Sequence, residues 1–189
     1  NANLKHWYKF PNGFTSDECD KIVMSFKNQA LTQARIDDIK VGGMVHEHFR
    51  KSKVFWITKV KQNNWIYSRI LNLVAEANDK FFHFDITDIS EDLQFTKYDV
   101  GDKYAWHLDV GGEDVQTIRK LSVVVQLSDP CEYEGGELQF GQSCDEIEVA
   151  DKNKGCTVIF PSYMRHRATE VTKGTRYCLV IWISGPHFR

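Results

Sequence analysis

The first indication of the fold is an apolar strand at Leu121-Ser-Val-Val-Val-Gln-Leu127. Its apolar side chains are consecutive at Val123, Val124 and Val125, so a strand formed by this stretch must be covered on both faces. The cover on the outer face is predicted to be a long amphipathic helix from about Gln62 to Lys80. The apolar stripe of that helix includes Ile66, Ile70, Leu73, Val74 and Ala77.

From Phe84 onward the chain consists of short apolar or alternating runs, which are separated by Gly, Pro, Asn and Asp. This pattern is typical of an all-β sandwich or barrel. Eight candidate strands are Leu93–Tyr98, Lys103–Leu108, Leu121–Leu127, Glu137–Phe140, Glu146–Val149, Thr157–Phe160, His166–Glu170 and Arg176–Ser184. Eight strands suit a jelly roll. The predicted fold is therefore mainly β, with a jelly-roll core and N-terminal helices packed on its outer sheet.

The N-terminal part of the chain is predicted to support this core. With 189 residues, of which 42% are hydrophobic, the chain favours one domain, 1–189, with support in 1–92 and the β core in 93–189. A short strand around Trp7 to Phe10 is followed by a turn at Pro11-Asn12-Gly13 and then by a helix. We expect Ser16 to be the N-cap of that helix, with Cys19 where a capping box would have glutamate.

Overall charge gives no attraction to phosphate backbones. The formal net charge is −2 and the sequence pI is about 6.4, so nucleic acid is an unlikely partner on this ground.

The cysteines and the hydropathy pattern indicate a soluble, cytoplasmic protein without a membrane partner. Five cysteines, without a Cys-x-x-Cys pair, fit neither a disulfide framework nor a zinc finger, so they are predicted to be reduced. No run approaches the roughly 18 apolar residues of a membrane span, and no signal peptide is visible. The chain does not start with methionine, which leaves open that a targeting segment was removed.

His107 and Asp109 are the first two candidate metal ligands. On a strand, residues two apart point to the same face, whereas Trp106 and Leu108 are expected to face the other way into packing. A His-x-Asp pair alone is also typical of a solvated edge or a hydrogen-bonded pair, so a third residue must decide.

His166, at the start of its own predicted strand, supplies that third residue. Two histidines and one carboxylate on one face of a metal are the ligand set of non-heme iron(II) oxygenases. Zinc is the competing metal, but zinc hydrolases usually carry His-x-x-x-His on a helix, and this sequence contains none.

Arg176 lies inside an otherwise apolar strand, ten residues after His166. Burying an arginine is costly unless it meets an anion, and its planar fork suits a carboxylate held by two hydrogen bonds. An internal salt bridge is the alternative. Trp182 has the same parity as Arg176 and is expected either to line the same cavity or to pack in the core.

Taken together, these residues resemble the iron(II)- and 2-oxoglutarate-dependent dioxygenases of the prolyl 4-hydroxylase-like branch, which includes the bacterial PKHD-type hydroxylases. The resemblance covers about Leu93 to Gly185 well and the N-terminal half more loosely. The motifs that carry it are Arg119-Lys-Leu-Ser122, Leu127-Ser-Asp-Pro130, Tyr133-Glu-Gly-Gly-Glu-Leu138, Pro161-Ser162, His166 and Gly174-Thr-Arg176, with Phe14-Thr-Ser-Asp-Glu-Cys19 and Arg50-Lys-Ser52 upstream.

The resemblance implies a double-stranded β-helix and a set of residue roles. His107, Asp109 and His166 would hold iron(II), and Arg176 would bind the distal carboxylate of 2-oxoglutarate. Tyr98 would help to hold this cosubstrate, with Trp182 as a further candidate. Gln126 stands where some relatives have an aromatic contact, so its role stays open.

The implied reaction couples decarboxylation of 2-oxoglutarate by O2 to hydroxylation of an unactivated carbon, with ascorbate as an optional reductant. The implied substrate is a peptide or protein, with proline as the target. Alternatives are a nucleic-acid demethylase or small-molecule hydroxylase of the same superfamily, or a non-catalytic jelly-roll binding module. The demethylase would place a second arginine where this chain has Trp182, and the binding module would lack a ligand or Arg176.

Residues Arg35 to Lys53 form a polar, basic segment around Gly42-Gly43. We expect this segment to close over the site when a peptide binds, with His48 and Arg50 as contacts. The alternative is a surface loop without a role. His46 and His48 have a metal-compatible spacing, but a solvated or substrate-facing loop is the favoured interpretation of this stretch.

Overall fold

A computed structural model describes residues 6–34, 49–112, 114–141 and 146–187 of the chain. Within these ranges there are two α-helices, α1 Ser16–Phe26 and α2 Asn64–Ala77. The strands are β1 Tyr8–Phe10, β2 Thr32–Gln33, β3 Arg50–Lys51, β4 Lys53–Ile57, β5 Leu93–Tyr98, β6 Lys103–His107, β7 Arg119–Gln126, β8 Tyr133–Gly135, β9 Leu138–Gly141, β10 Ile147–Val149, β11 Thr157–Pro161, β12 His166–Ala168, β13 Val171–Gly174 and β14 Arg176–Ser184.

Two antiparallel sheets form the core. One has seven strands in the order β1-β11-β7-β14-β5-β4-β2, and the other has five in the order β10-β9-β12-β6-β3. All eight predicted strands are present, with ends shifted by three residues at most. The sequence did not predict β8 and β13, which pair only with each other. The prediction of a mainly β fold with supporting helices is confirmed.

β7 is the strand that the opening stretch predicts, and every one of its residues is buried. Val123 and Val125 pack in a cluster with the two helices, whereas Val124 packs in a second cluster between the two sheets. α2 contributes Ile66 and Ile70 to the first cluster. Because each fully buried aliphatic side chain contributes about 1.5–3 kcal/mol, the helices and the sheets stabilise one another through this strand.

The start of α1 differs from the prediction. Its N-cap is Thr15, not Ser16: the Glu18 N–H donates to the Thr15 hydroxyl (3.2 Å), and the Thr15 N–H donates to the Glu18 carboxylate (2.8 Å). The capping box is therefore complete, and Cys19 is a core residue instead. Glu18 also forms a 2.7 Å ion pair with Arg69 of α2, which ties the two helices together.

The end of α2 is the other local departure. The predicted helix to Lys80 continues as a π-helical turn, Asn78–Phe82, and stops at His83 in the left-handed conformation (φ 55°). The Asn78 side chain bonds the backbone of Phe84 on both its N–H and its C=O, which fixes this exit. Neither described helix is long and apolar enough to cross a membrane.

Four cysteines lie in the described ranges, Cys19, Cys131, Cys156 and Cys178, and all carry free thiols, as predicted. Cys19 and Cys156 are buried, and this burial raises the pKa of each thiol to about 11. Both therefore stay protonated and unreactive at neutral pH.

Candidate metal centre and its cavity

The three predicted metal ligands meet at one end of the five-stranded sheet. His107 ends β6 and faces its register partner His166, the first residue of β12. Asp109 follows two residues after β6, where its N–H donates to the Ser162 carbonyl (2.9 Å). Nε2 of each histidine lies 3.5 Å from a carboxylate oxygen of Asp109, and the three possible ligand atoms lie within 4.8 Å of one another. This group can hold a metal ion.

Both imidazoles are fixed in the orientation that a metal requires. Nδ1 of His107 lies 2.7 Å from the Ala105 carbonyl, and Nδ1 of His166 lies 2.8 Å from the Met164 carbonyl. A carbonyl only accepts hydrogen bonds, so Nδ1 must carry the proton in each ring. The lone pair of Nε2 then points toward Asp109 and is available to a metal.

Protonation of the group also suits metal binding. Burial, the largest influence, lowers the pKa of His166 to about 4, so this histidine is neutral at pH 7. Burial acts on Asp109 in the direction that raises its pKa, but the two neighbouring imidazoles and the Ser122 hydroxyl outweigh it, so the pKa of this carboxyl lies below its ordinary value. The site thus presents a carboxylate and a neutral imidazole without prior loss of a proton.

Residues of β7 hold Asp109 in place. The Ser122 hydroxyl donates to Asp109 Oδ2 (2.6 Å), and Arg119 Nη1 donates to the Asp109 backbone carbonyl (3.1 Å). Arg119 is itself held by two hydrogen bonds to Glu91, at 2.5 and 2.7 Å. Sequence reasoning missed Ser122 and Arg119 as site residues, although a buried arginine in an apolar strand is the same signal that identified Arg176.

A β-bulge adds a residue that strand alternation does not predict. The register of β6 and β12 shifts between the pairs His166–His107 and Ala168–Tyr104, so Tyr104 lies on the same face as His107. Its ring stacks on the His107 imidazole with a centroid distance of 3.5 Å. The other face of Tyr104 is available to Arg50 of β3, whose guanidinium lies 4.5 Å from the ring centre.

Trp106 and Leu108 do not pack into the core, and this part of the prediction is wrong. Trp106 faces away from the metal group as expected, but it is half-buried beneath two arginine side chains on the surface. Leu108 comes after β6 has ended, is 52% exposed and lies at the mouth of a cavity. Trp106 remains half-buried because no described helix covers the outer side of the five-stranded sheet, whereas Leu108 is exposed because it follows the end of β6.

A cavity of about 380 Å³ runs between the two sheets from the metal group to Arg176. Tyr98, Arg176 and Trp182 all line it, together with Val124 and Cys178. The segment Arg35–His48 and its two histidines lie outside the described residues, so the predicted substrate loop is described only from Phe49 onward.

Arg176 is 2% exposed, and no described carboxylate forms an ion pair with it. Its Nη2 donates to Gln126 Oε1 (3.0 Å), its guanidinium carbon lies 5.3 Å from the Tyr98 ring centre, and its Nε has no partner. The internal salt bridge considered as an alternative is therefore not what holds this arginine. A buried cation without a counter-ion indicates a site for an anion.

Gly135 and Gly136 form a turn that packs beside Arg176. Both have positive φ, and a Cβ on Gly136 would lie 3.0 Å from Arg176 Cδ. A side chain there would displace the guanidinium, so this turn must be glycine.

Trp182 packs under Arg119, whose guanidinium carbon is 3.8 Å from the ring centre, and near Trp56 at the mouth (6.2 Å). Its buried Nε1 has no hydrogen-bond partner. A buried N–H without a partner is costly, so it is a second donor in the cavity that a ligand oxygen could satisfy.

Ser122→Ala tests whether β7 positions the metal ligand. Removing the 2.6 Å hydrogen bond frees the carboxylate to rotate, so we expect cobalt(II) affinity to fall by about 10- to 100-fold. Competition with a chelating indicator measures this. Ser162→Ala is the matched control, because its hydroxyl contacts Ser122 (3.0 Å) and has no hydrogen bond to the Asp109 carboxylate. If Ser122→Ala and Ser162→Ala bind cobalt(II) with equal affinity, the assigned role of Ser122 is contradicted.

Residues 93–184 match the sequence model of a family described as the 2OG-Fe(II) oxygenase superfamily. A PKHD-type hydroxylase of Thermosynechococcus vestitus is 31% identical over 121 residues, which are 62% of this chain and 54% of the relative. A PKHD-type hydroxylase of Prochlorococcus marinus is 40% identical over 92 residues, 48% of this chain and 40% of the relative. The chain thus spans about half the length of these curated relatives.

Solved structures share the fold over almost the whole chain. A prolyl-4-hydroxylase of Pseudomonas putida superposes with a TM-score of 0.75 at 19% identity, covering 97% of this chain and 94% of that one. A prolyl hydroxylase of Trichoplax adhaerens, solved with a peptide fragment of the hypoxia inducible factor oxygen degradation domain, gives 0.77 at 16%, covering 97% and 85%. At identities of 19% and 16% the likeness confirms the predicted double-stranded β-helix and shows the fold alone.

Proposed function

We propose that the protein is a hydroxylase of prolyl residues in a peptide or protein, because residues 93–184 match the sequence model of the 2OG-Fe(II) oxygenase superfamily and the curated relatives are PKHD-type hydroxylases. The matched family implies iron(II), 2-oxoglutarate and O2. The observation that carries the proposal is that a buried His-Asp-His group and a buried arginine without a counter-ion line one cavity.

The residues present fit the implied metal. His107, Asp109 and His166 supply two imidazole nitrogens and one carboxylate oxygen, a donor set that suits iron(II) and leaves further positions open. Iron bound there supplies the oxidising chemistry, with 2-oxoglutarate giving up carbon dioxide and becoming succinate. The chain's own task is to hold the ligands rigidly, which the carbonyls behind both histidines and the Ser122 hydroxyl do.

The other end of the cavity fits the cosubstrate. The Arg176 guanidinium would receive the distal carboxylate, with Gln126 holding one of its arms in place. Burial, the largest influence, raises the pKa of Tyr98 to about 12, so its hydroxyl stays protonated and can donate to an oxygen of the same ligand. Val124, Leu138 and Val180 form an apolar wall that excludes water and strengthens these interactions.

Support for a prolyl target comes from the mouth of the cavity. Trp56 is 42% exposed there and lies beside Trp182, and Leu108 stands on the rim. Aromatic surfaces of this kind suit the flat, apolar ring of proline in an extended peptide. Arg50 stacks on Tyr104 inside the mouth and donates to Gln94 (2.7 Å), which places it to contact a peptide backbone.

A succinate assay over a panel of peptides, nucleotides and small molecules tests this proposal, with mass spectrometry on whatever stimulates turnover. We expect proline-containing peptides to stimulate succinate release and to gain one oxygen atom, while the same peptides with alanine at the proline do neither. Stimulation by nucleotides alone would refute the prolyl assignment. Absence of succinate under every condition would refute the activity itself.

A further inference from the structure

The outer face of the five-stranded sheet is a surface that the metal centre does not use. His107 and His166 point to the inner face, so their neighbours in sequence point outward. Gln139 is the register partner of both Arg167 and Val149, and these three side chains therefore share the outer face. Val149 is 49% exposed and Ile147, two residues before it on the edge strand β10, is 41% exposed. The two helices pack on the other sheet, so no described helix covers these residues.

Two positive charges are held side by side on this face. The guanidinium carbons of Arg165 and Arg167 lie 4.8 and 4.6 Å from the ring centre of Trp106. Like charges repel, and attraction of each guanidinium to the face of the indole offsets that repulsion. The indole therefore fixes the two guanidiniums in position.

Neither guanidinium has a carboxylate partner among the described residues. Arg167 Nε donates to the Gln139 amide oxygen (2.9 Å), and the nearby Glu137 carboxylate bonds the Gln139 amide nitrogen (2.7 Å) rather than an arginine. Arg165 makes no hydrogen bond to a described side chain. By contrast, Arg69 and Arg119 each form an ion pair with a glutamate. Among the described residues, the only hydrogen-bonded side-chain partner of these two guanidiniums is Gln139.

We propose that this face, formed by Trp106, Arg165, Arg167, Ile147 and Val149, binds an acidic, amphipathic segment of a partner polypeptide. Carboxylates of the segment would pair with the two arginines through two-pronged hydrogen bonds, and its apolar side chains would cover Ile147 and Val149. Tryptophan and arginine are the residue types that most often dominate such interfaces. Trp106, Arg165, Ile147 and Val149 do not line the cavity, and the Arg167 guanidinium stacks on Trp106, so the proposed contact is separate from the reaction in the cavity.

Charge favours a polypeptide over a nucleic acid. Binding to a phosphate backbone relies on an extended basic surface, whereas here two arginines stand beside exposed apolar residues. An amphipathic acidic segment matches both the cationic and the apolar part of the face.

Fluorescence anisotropy with a labelled peptide tests the proposal. The probe is a sixteen-residue peptide with leucine at helical spacing and glutamate elsewhere, added to the full chain. We expect saturable binding that weakens as salt rises, because exposed ion pairs are screened. Arg165→Glu and Ile147→Glu should each weaken binding by about tenfold or more, since each places a negative charge against the acidic probe.

Lys61→Glu, the same change of charge in the loop before α2, is the matched control and should bind like the unmodified chain. Unchanged circular dichroism and cobalt(II) binding show that each variant is folded. Three results would overturn the proposal: equal binding of a peptide with lysine for glutamate, no effect of Arg165→Glu, or tighter binding of a single-stranded oligonucleotide. A dimer that Arg165→Glu dissociates would also overturn it, because the occupant would then be a second copy of this chain.

Discussion

Asp109→Ala is expected to abolish turnover of 2-oxoglutarate and to weaken iron(II) binding severely. Asp109 supplies the only carboxylate of the described ligand group, between two imidazole nitrogens 3.5 Å away. Removing one partner of a buried charge pair costs about 3–5 kcal/mol in comparable settings, or roughly two to three and a half decades in metal affinity. Anaerobic titration with iron(II) and a succinate assay measure the two effects.

The fold should survive this substitution, because the apolar clusters on either side of β7 do not include Asp109. Asp151→Ala is the control: its carboxylate pairs with Lys9 (2.9 Å) outside the metal group, so both measurements should stay unchanged. Zinc, cobalt or manganese should bind the unmodified chain without supporting turnover. Full activity of Asp109→Ala with iron would show that the ligand group is misassigned.

Arg176→Ala should raise the concentration of 2-oxoglutarate needed for turnover far more than that of the prime substrate. The guanidinium is buried in the wall of the cavity, beside Tyr98 and Gln126, and pairs with no described carboxylate. Truncating one partner of a buried, hydrogen-bonded charge pair costs about 2–5 kcal/mol, which corresponds to roughly one and a half to three and a half decades in affinity. Direct titration of 2-oxoglutarate into the metal-loaded protein measures this loss of affinity.

Gln126→Glu provides an independent route to the same result. It places a carboxylate where the amide oxygen now accepts from Arg176 Nη2 at 3.0 Å, so the new side chain would compete with the cosubstrate without leaving a hole in β14. Arg176→Lys keeps the charge but loses the planar fork, and we expect an intermediate affinity. If 2-oxoglutarate binds all three variants as it binds the unmodified chain, Arg176 has a structural role only.

Patterns of burial predicted the parts of the fold and site that depend on alternation. Val123 to Val125 required cover on two faces, and the structure places a helix layer and an opposing sheet there. The i, i+2 spacing of His107 and Asp109 directed both to one point, and the cost of burying Arg176 directed it to a cavity. Each of these inferences uses a property of the residue itself.

Features that depend on strand register or on competing hydrogen-bond partners could not be predicted from the sequence by alternation or burial. Tyr104 reaches His107 only because a bulge shifts the pairing of β6, and no residue type in β6 predicts that bulge. Thr15 and Ser16 are both good caps, and Glu18 selects Thr15 by lying three residues after it. Trp106 was expected to face into packing, yet the guanidiniums of two arginines stack on its ring at the surface instead.

We expect one cavity to bind both a divalent metal, at His107, Asp109 and His166, and a dicarboxylate, at Arg176. Since opposite charges within one enclosed site attract, each ligand must raise the affinity for the other. Anaerobic calorimetry of 2-oxoglutarate binding, with and without iron(II), tests this directly. We predict one equivalent bound tightly with iron, much weaker binding without iron or in Asp109→Ala, and an affinity lower by roughly one and a half to three and a half decades in Arg176→Ala. Equal affinity under all four conditions would contradict this expectation.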